Sequence, residues 1–320
     1  MANAHLPNSH PDVTPHWKPL GYETTTFSKA ISTTSLRGSD NSFSAFVPKD
    51  WCSPSYFGLH AHGGYCAALI ISTSQKYFKK YAKKNQPDTI HLQIQYMDPL
   101  PQGLATIVIN DLKIGSKHSV LQVELRDPKG QICVIALVTQ GNLSASGGHR
   151  IEIPAFNVPD RVKDCQRWVD GFFYHLSPTS SKCRTYTVKG GPNPLWSPSV
   201  GQNARDMWMK LDDDDDSFTT AHLGFIFDLL PPMVLNYEKR GLQAVMKWAT
   251  PTMCLNIDFK SECKGGEWLL QRTVMNECSN GRFDMDVKII NESGRLIATA
   301  THTTLIIPQP GRATKAGSVL

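Results

Sequence analysis

Apolar and polar positions alternate from Ser42 to Val47 (Ser-Phe-Ser-Ala-Phe-Val), which predicts a first strand. Cys66–Phe78 is largely apolar and rich in small residues, which predicts a wrapped helix of about four turns. Four strand patterns follow: Thr89–Tyr96, Leu104–Lys113, His118–Asp127 and Gln131–Asn142, the last two joined by the turn Asp127-Pro-Lys-Gly130. The first half thus reads as strand, buried helix and antiparallel meander. From Ser144 to Pro198 the text becomes rich in Pro, Ser and Gly, with one short amphipathic piece at Val162–Phe173, and predicts a linker with some local structure.

The first pattern then returns. Ala221–Leu230 predicts a second helix, apolar nearly all round and broken or kinked by Pro231-Pro232. Thr252–Phe259, Glu267–Asn276, Arg282–Ile290 and Arg295–Ile307 read as its meander, with a turn at Asn291-Glu-Ser-Gly294. Thr89 stands seven before Tyr96 and fourteen before Gly103, as Thr252 does before Phe259 and Gly266. The turn glycines Gly130 and Gly294 fall within one residue of the same register. Repeated coincidence of this kind is an internal duplication. The expected organisation is a polar, loosely wrapped stretch 1–25, a unit at 26–143, a linker at 144–198, a second unit at 199–308 and a tail at 309–320.

Composition narrows the classes. The chain has 320 residues, about 40% of them hydrophobic, with a formal net charge of +5, which fits a globular protein. The one basic concentration, Lys76 to Lys84, reads as the solvated, dipole-compatible end of the first helix; holding an anionic phosphate tail is the second reading. Nothing resembles a nucleic-acid-binding motif. Eight cysteines without Cys-x-x-Cys or Cys/His ligand spacing point to a reduced compartment and no metal. With no leader-like or membrane-spanning run, a soluble cytoplasmic protein is expected. The terminal Ser318-Val319-Leu320 lacks the basic centre of a peroxisomal signal, and a peroxisomal location stays open. Asp212–Asp216 lacks the alternation and glycine of a calcium loop and reads as a solvated turn.

The chemistry concentrates at the two helices. Asp228 lies among Phe225, Ile226, Phe227 and Leu229, where a carboxylate has no solvated face and needs partners or a cleft. Gly63 and Gly64, just before Tyr65, permit close approach at a helix start, whose free N–H groups can bind an oxyanion. His60 and His62 flank the same loop and are candidates for a pocket mouth.

An apolar helix with a meander able to wrap it, twice in one chain, resembles the acyl-CoA thioesterase II family and its fungal thioesterase-like branch. The likeness rests on His62-Gly-Gly-Tyr-Cys-Ala-Ala-Leu-Ile70, Trp208-Met-Lys-Leu211, Phe227-Asp-Leu-Leu-Pro-Pro232, Pro251–Phe259 and Gly294–His302, in that order and spacing. It implies an α+β double hotdog, two antiparallel sheets each around a long helix and joined as one. It further implies an Asp, a Thr and a Gln that hold a water against a thioester carbonyl, matched here by Asp228, Thr252 and His302. His302 departs from the family's Gln, since an imidazole also titrates near neutrality. Asp170 and His175 have the spacing of hotdog enoyl hydratases, but Phe172-Phe173 replaces the Asn-Pro those enzymes carry between them, so the match is treated as chance.

The expected substrate is a small acyl or polyketide-like molecule, on coenzyme A or a carrier protein, with no cofactor and with homodimers as the simplest further assembly. Three functions stay open. They are thioester hydrolysis; dehydration, isomerisation or cyclisation in secondary metabolism; and acyl binding without catalysis.

Overall fold

A computed structural model of the chain describes residues 24–55, 58–145, 149, 151–212, 218–229, 231–237, 248–263 and 268–308. The first half opens with a short helix, α1 (Phe27–Ala30), strands β1 (Thr33–Ser35) and β2 (Ser42–Val47), and the hairpin β3 (Cys52–Ser55) and β4 (Gly58–Ala61). The helix α2 (Gly63–Phe78) follows, then β5 (Asp88–Tyr96), β6 (Gly103–Ile114), β7 (Ser119–Arg126) and β8 (Ile132–Gly141). The middle holds β9 (Cys165–Trp168), α3 (Gly171–Leu176) and β10 (Cys183–Val188). The second half runs through β11 (Ala204–Leu211), α4 (Thr220–Phe227), β12 (Trp248–Ala249) and β13 (Thr252–Phe259). It closes with β14 (Leu269–Ser279), β15 (Arg282–Asn291), β16 (Leu296–Leu305) and β17 (Ile307–Pro308).

Thirteen strands form one sheet in the order β1-β2-β6-β7-β8-β5-β13-β16-β15-β14-β11-β10-β9, every pairing antiparallel. The halves meet at β5 and β13, where Ile94 pairs with Leu255 and Leu92 with Ile257. Each half packs its inner face on its own helix, which is the double hotdog expected from the repeat. The two meanders share a register. The row Ile107–Leu125–Val134–Tyr96 of the first half matches the row Gln271–Ile289–Ala298–Phe259 of the second.

The helices meet inside the sheet through small residues. Leu69, Ile70 and Ile71 of α2 are fully buried, and each contributes about 1.5–3 kcal/mol by leaving water. Every residue of α4 from Ala221 to Phe227 is buried as well. A Cβ built on Gly64 would lie 2.3 Å from the Phe225 carbonyl oxygen, and one on Gly224 would lie 2.6 Å from the Ile71 Cδ1. Glycine is what lets these backbones touch.

Two expectations need correction. The stretch 144–198 is more than a linker, because β9 and β10 extend the main sheet beyond β11. Its prolines lie outside both strands, which are short; only β9 is the edge, since β10 pairs with β9 and β11. The second helix ends at Phe227, so Asp228 (φ −99°, ψ 2°) caps it rather than riding on it; the prolines that follow disfavour helix just before them. Leu230, Asp213–Asp216 and Gly266 lie outside the described residues. Lys80 of the basic stretch sits 3.7 Å from the centre of the Tyr77 ring and 3.8 Å from Asp111 Oδ2.

Candidate active site

Asp228 is held from both halves of the molecule. Its Oδ2 accepts the Gly64 N–H at 2.9 Å, and its Oδ1 accepts the Thr252 hydroxyl at 2.9 Å. His62 Nδ1 lies 3.8 Å from Oδ2, and His302 Nδ1 lies 3.7 Å from Oδ1. The carboxylate side chain keeps 12% of its surface exposed and His62 keeps 13%, while the His302 side chain is fully enclosed. The result is an ionisable group with a narrow opening, two donors and two imidazoles.

Local structure explains each placement. His62 caps α2, its Nδ1 accepting the same Gly64 N–H at 3.1 Å, so that N–H is shared with Asp228. The Tyr96 hydroxyl donates to the Gly63 carbonyl at 2.8 Å and fixes the start of the helix from the sheet. Thr252 opens β13 at a bulge, where its pairing with Thr304 is followed by Cys254 with Thr303. Such a bulge re-aims a side chain at a strand end. The first half carries the bulge too, between Thr89 and His91, but there the Thr89 hydroxyl accepts from Gln140 at 3.2 Å.

Burial sets the titration of the imidazoles. Desolvation pushes His302 below the ordinary 6.5, against the opposing pull of Asp228 and the Phe227 carbonyl. His62 is lowered by burial too, again opposed by Asp228. Neither ring nitrogen of His302 completes a hydrogen bond with a described residue. A neutral imidazole beside a carboxylate can orient a water or exchange a proton. The Tyr96 phenol is raised well above its ordinary range by burial and then by Asp228, so it stays a donor.

A stability consequence follows. A histidine lowered on folding leaves stability fully present above about pH 6.5, because both states are then neutral. As pH falls below that, the unfolded chain takes up protons that the folded one refuses, and stability is lost. His302→Gln should therefore reduce the slope of melting temperature against pH between about pH 6.5 and pH 5. Identical slopes in thermal denaturation of the two proteins would contradict the burial of a neutral imidazole.

The expected residues are not all brought together. Asp228, Thr252, His302, His62, Gly63 and Gly64 converge. His60 stays next to this group on β4, half-buried, with its pKa lowered by burial and slightly by His62. Tyr65 turns away, fully buried, its hydroxyl donating to the Ala30 carbonyl at 2.9 Å. The Gly64 N–H is not a vacant oxyanion donor, since Asp228 and His62 already engage it. Asp170 caps α3 by accepting the Phe173 N–H at 2.9 Å, and nothing is described of the His175 side chain. Tyr96 was legible only as a strand aromatic. Its hydroxyl, absent from the repeat partner Phe259, is the signal that distinguishes it.

Among the described residues no cluster of three or more His, Cys, Asp or Glu is arranged to hold a metal, and no helix is long and apolar enough to cross a membrane. Two surface hollows, lined by Glu277, Arg282 and Asp284 and by Asn203, Met275 and Cys278, lie away from Asp228. A carboxylate, two donors and burial coincide instead at Asp228.

The model of the acyl-CoA thioesterase N-terminal domain matches residues 47–141, and that of the acyl-CoA thioesterase C-terminal domain matches residues 156–306. The thioesterase-like protein TwmA of Talaromyces wortmannii is 23% identical over 308 residues, spanning 78% of this chain and 84% of that protein. Among solved structures, the acyl-CoA thioesterase II TesB2 of Mycobacterium marinum is 15% identical with a TM-score of 0.62, covering 89% of this chain and 99% of that one. A hot dog fold protein from Alicyclobacillus acidocaldarius is 16% identical with a TM-score of 0.66, covering 89% and 98%. At these identities the structures establish the fold.

Proposed function

The chain belongs to the acyl-CoA thioesterase family, with both family domains present, and from that premise we propose that it hydrolyses an acyl thioester on coenzyme A or a carrier protein. The observation that carries the reading is the carboxylate of Asp228, fixed by Gly64 and Thr252 and flanked by two imidazoles within 4 Å. Each carboxylate oxygen accepts one bond from these donors, which leaves a lone pair for a water. Asp228 takes a proton from that water as its oxygen bonds to the thioester carbonyl carbon. The resulting oxyanion meets the first turn of α2 at an N–H other than that of Gly64, which Asp228 already engages. The C–S bond then breaks, and the thiolate receives the proton.

Thiol release from a panel of acyl-CoA and carrier-linked thioesters tests this, with turnover expected for at least one. Binding without any thiol release would instead favour a non-enzymatic acyl carrier.

A second reading has its own observation. His302 stands where the family's amide is expected, and its imidazole lies 3.7 Å from Asp228. Such an acid/base pair suits dehydration, isomerisation or cyclisation of a polyketide-like chain in secondary metabolism. His302→Gln separates the two. Hydrolysis should be retained or raised by the family residue, whereas acid/base chemistry through His302 should collapse. No change in either assay would remove His302 from the reacting groups.

A further inference from the structure

Asp228 sits in a short span whose main-chain carbonyls are held from the sheet on both sides. Two residues before it, the Ile226 carbonyl accepts Gln271 Nε2 at 2.6 Å. Three residues after it, the Pro231 carbonyl accepts Arg205 Nη1 at 2.6 Å. Arg205 is fully buried, and its remaining bonds go to the Leu195 carbonyl at 3.0 Å and Asn236 Oδ1 at 2.9 Å. Among the described residues its acceptors are all neutral, and a cation so placed is costly to bury. Burial pushes its pKa down to about 9, which leaves it charged at neutral pH. Gln271 is 1% exposed, and its Oε1 has no partner among the described residues, a second cost.

The duplication supplies the control. In the matched rows of the two meanders, Gln271 occupies the position of Ile107 in the first half. An apolar residue therefore satisfies the packing of this wall. Packing alone does not call for an amide; at Gln271 the amide adds a second donor, from the sheet, to an Ile226 carbonyl that already accepts the Leu229 N–H at 3.2 Å.

We propose that Gln271 and Arg205 are positioning residues for Asp228, clamping the backbone on either side of it so that its carboxylate meets Gly64 and Thr252. The proposal rests on Asp228 being the reacting group. Gln271→Ile installs the other repeat's residue, so the melting temperature should hold or rise. Turnover should fall about 10- to 100-fold with KM little changed, the scale of a modest misplacement.

Nitrogen NMR of the histidine side chains gives a readout that needs no substrate. Asp228 raises the pKa of both His62 and His302, so a displaced carboxylate should lower both titrations further. Arg205→Lys, which keeps one donor for the Pro231 carbonyl, should shift them less than Arg205→Met. If Arg205→Met does not fold, Gln271→Ile decides. Wild-type titrations in folded Gln271→Ile, or a lower melting temperature with unchanged turnover, would overturn the clamp. A wild-type protein that releases no thiol would instead count against hydrolysis, and the titrations would still judge the clamp.

Discussion

Asp228→Asn is expected to lower turnover by about 10²- to 10⁴-fold, the usual contribution of a general base, with KM changed much less. The substitution is clean because both hydrogen bonds can survive it. The Asn carbonyl can accept the Gly64 N–H, and its amide can donate to the Thr252 hydroxyl, which rotates to accept. The helix end should therefore stay in place while the proton acceptor disappears. A structural role for Asp228 predicts the opposite pattern, a lower melting temperature with an ordinary rate per folded molecule. Steady-state kinetics on the best substrate, alongside thermal denaturation, distinguishes them. Near-normal turnover in a folded Asp228→Asn protein would sink the hydrolytic mechanism.

How much of this was readable beforehand depends on the kind of contact. A carboxylate among Phe225, Ile226 and Phe227 is visible in sequence because apolar neighbours leave it no solvent. Thr252 and His302 are visible only through the family resemblance, which implies a Thr opening this strand and a Gln on the last one; the repeat supplies the register of the Thr but not its role. The engagement of the Gly64 N–H is not visible, because its acceptor lies 164 residues away and only the helix crossing brings it near. Tyr65 misleads for a related reason. Adjacency to a glycine pair says nothing about which way a helical side chain points, and this one points to α1. Arg205 and Gln271 look like ordinary strand residues until the sheet rows are aligned. Differences between the repeats, Tyr96 against Phe259 and Gln271 against Ile107, then mark where one half or the other departs from plain packing. The strands β9 and β10 escape notice because four to six residues among prolines carry too little alternation to stand out.

Gly64→Ala should be the most damaging single change to the fold. The added Cβ would lie 2.3 Å from the Phe225 carbonyl oxygen and 3.1 Å from its carbon. Those atoms are backbone at the end of a fully buried helix, so no side chain can swing aside. Either α2 and α4 separate, opening the centre of the core, or the strain stays in place. Overpacking costs about 1–3 kcal/mol when side chains can give and more when backbone must, so a loss of about 3 kcal/mol or more is expected. In a domain of this size that lowers the melting temperature by roughly 6–12 °C. Gly224→Ala is the comparison, made at the same helix crossing. There the closest atom, at 2.6 Å, is the tip of the Ile71 side chain, and backbone begins only at 3.4 Å. Ile71 can change rotamer, so a loss of about 1 kcal/mol is expected. The order of the two melting temperatures is the test, because it depends on which glycine faces backbone. Gly64→Ala as stable as Gly224→Ala would mean that α2 and α4 do not cross at Gly64, and the support of Asp228 by that N–H would fall with it.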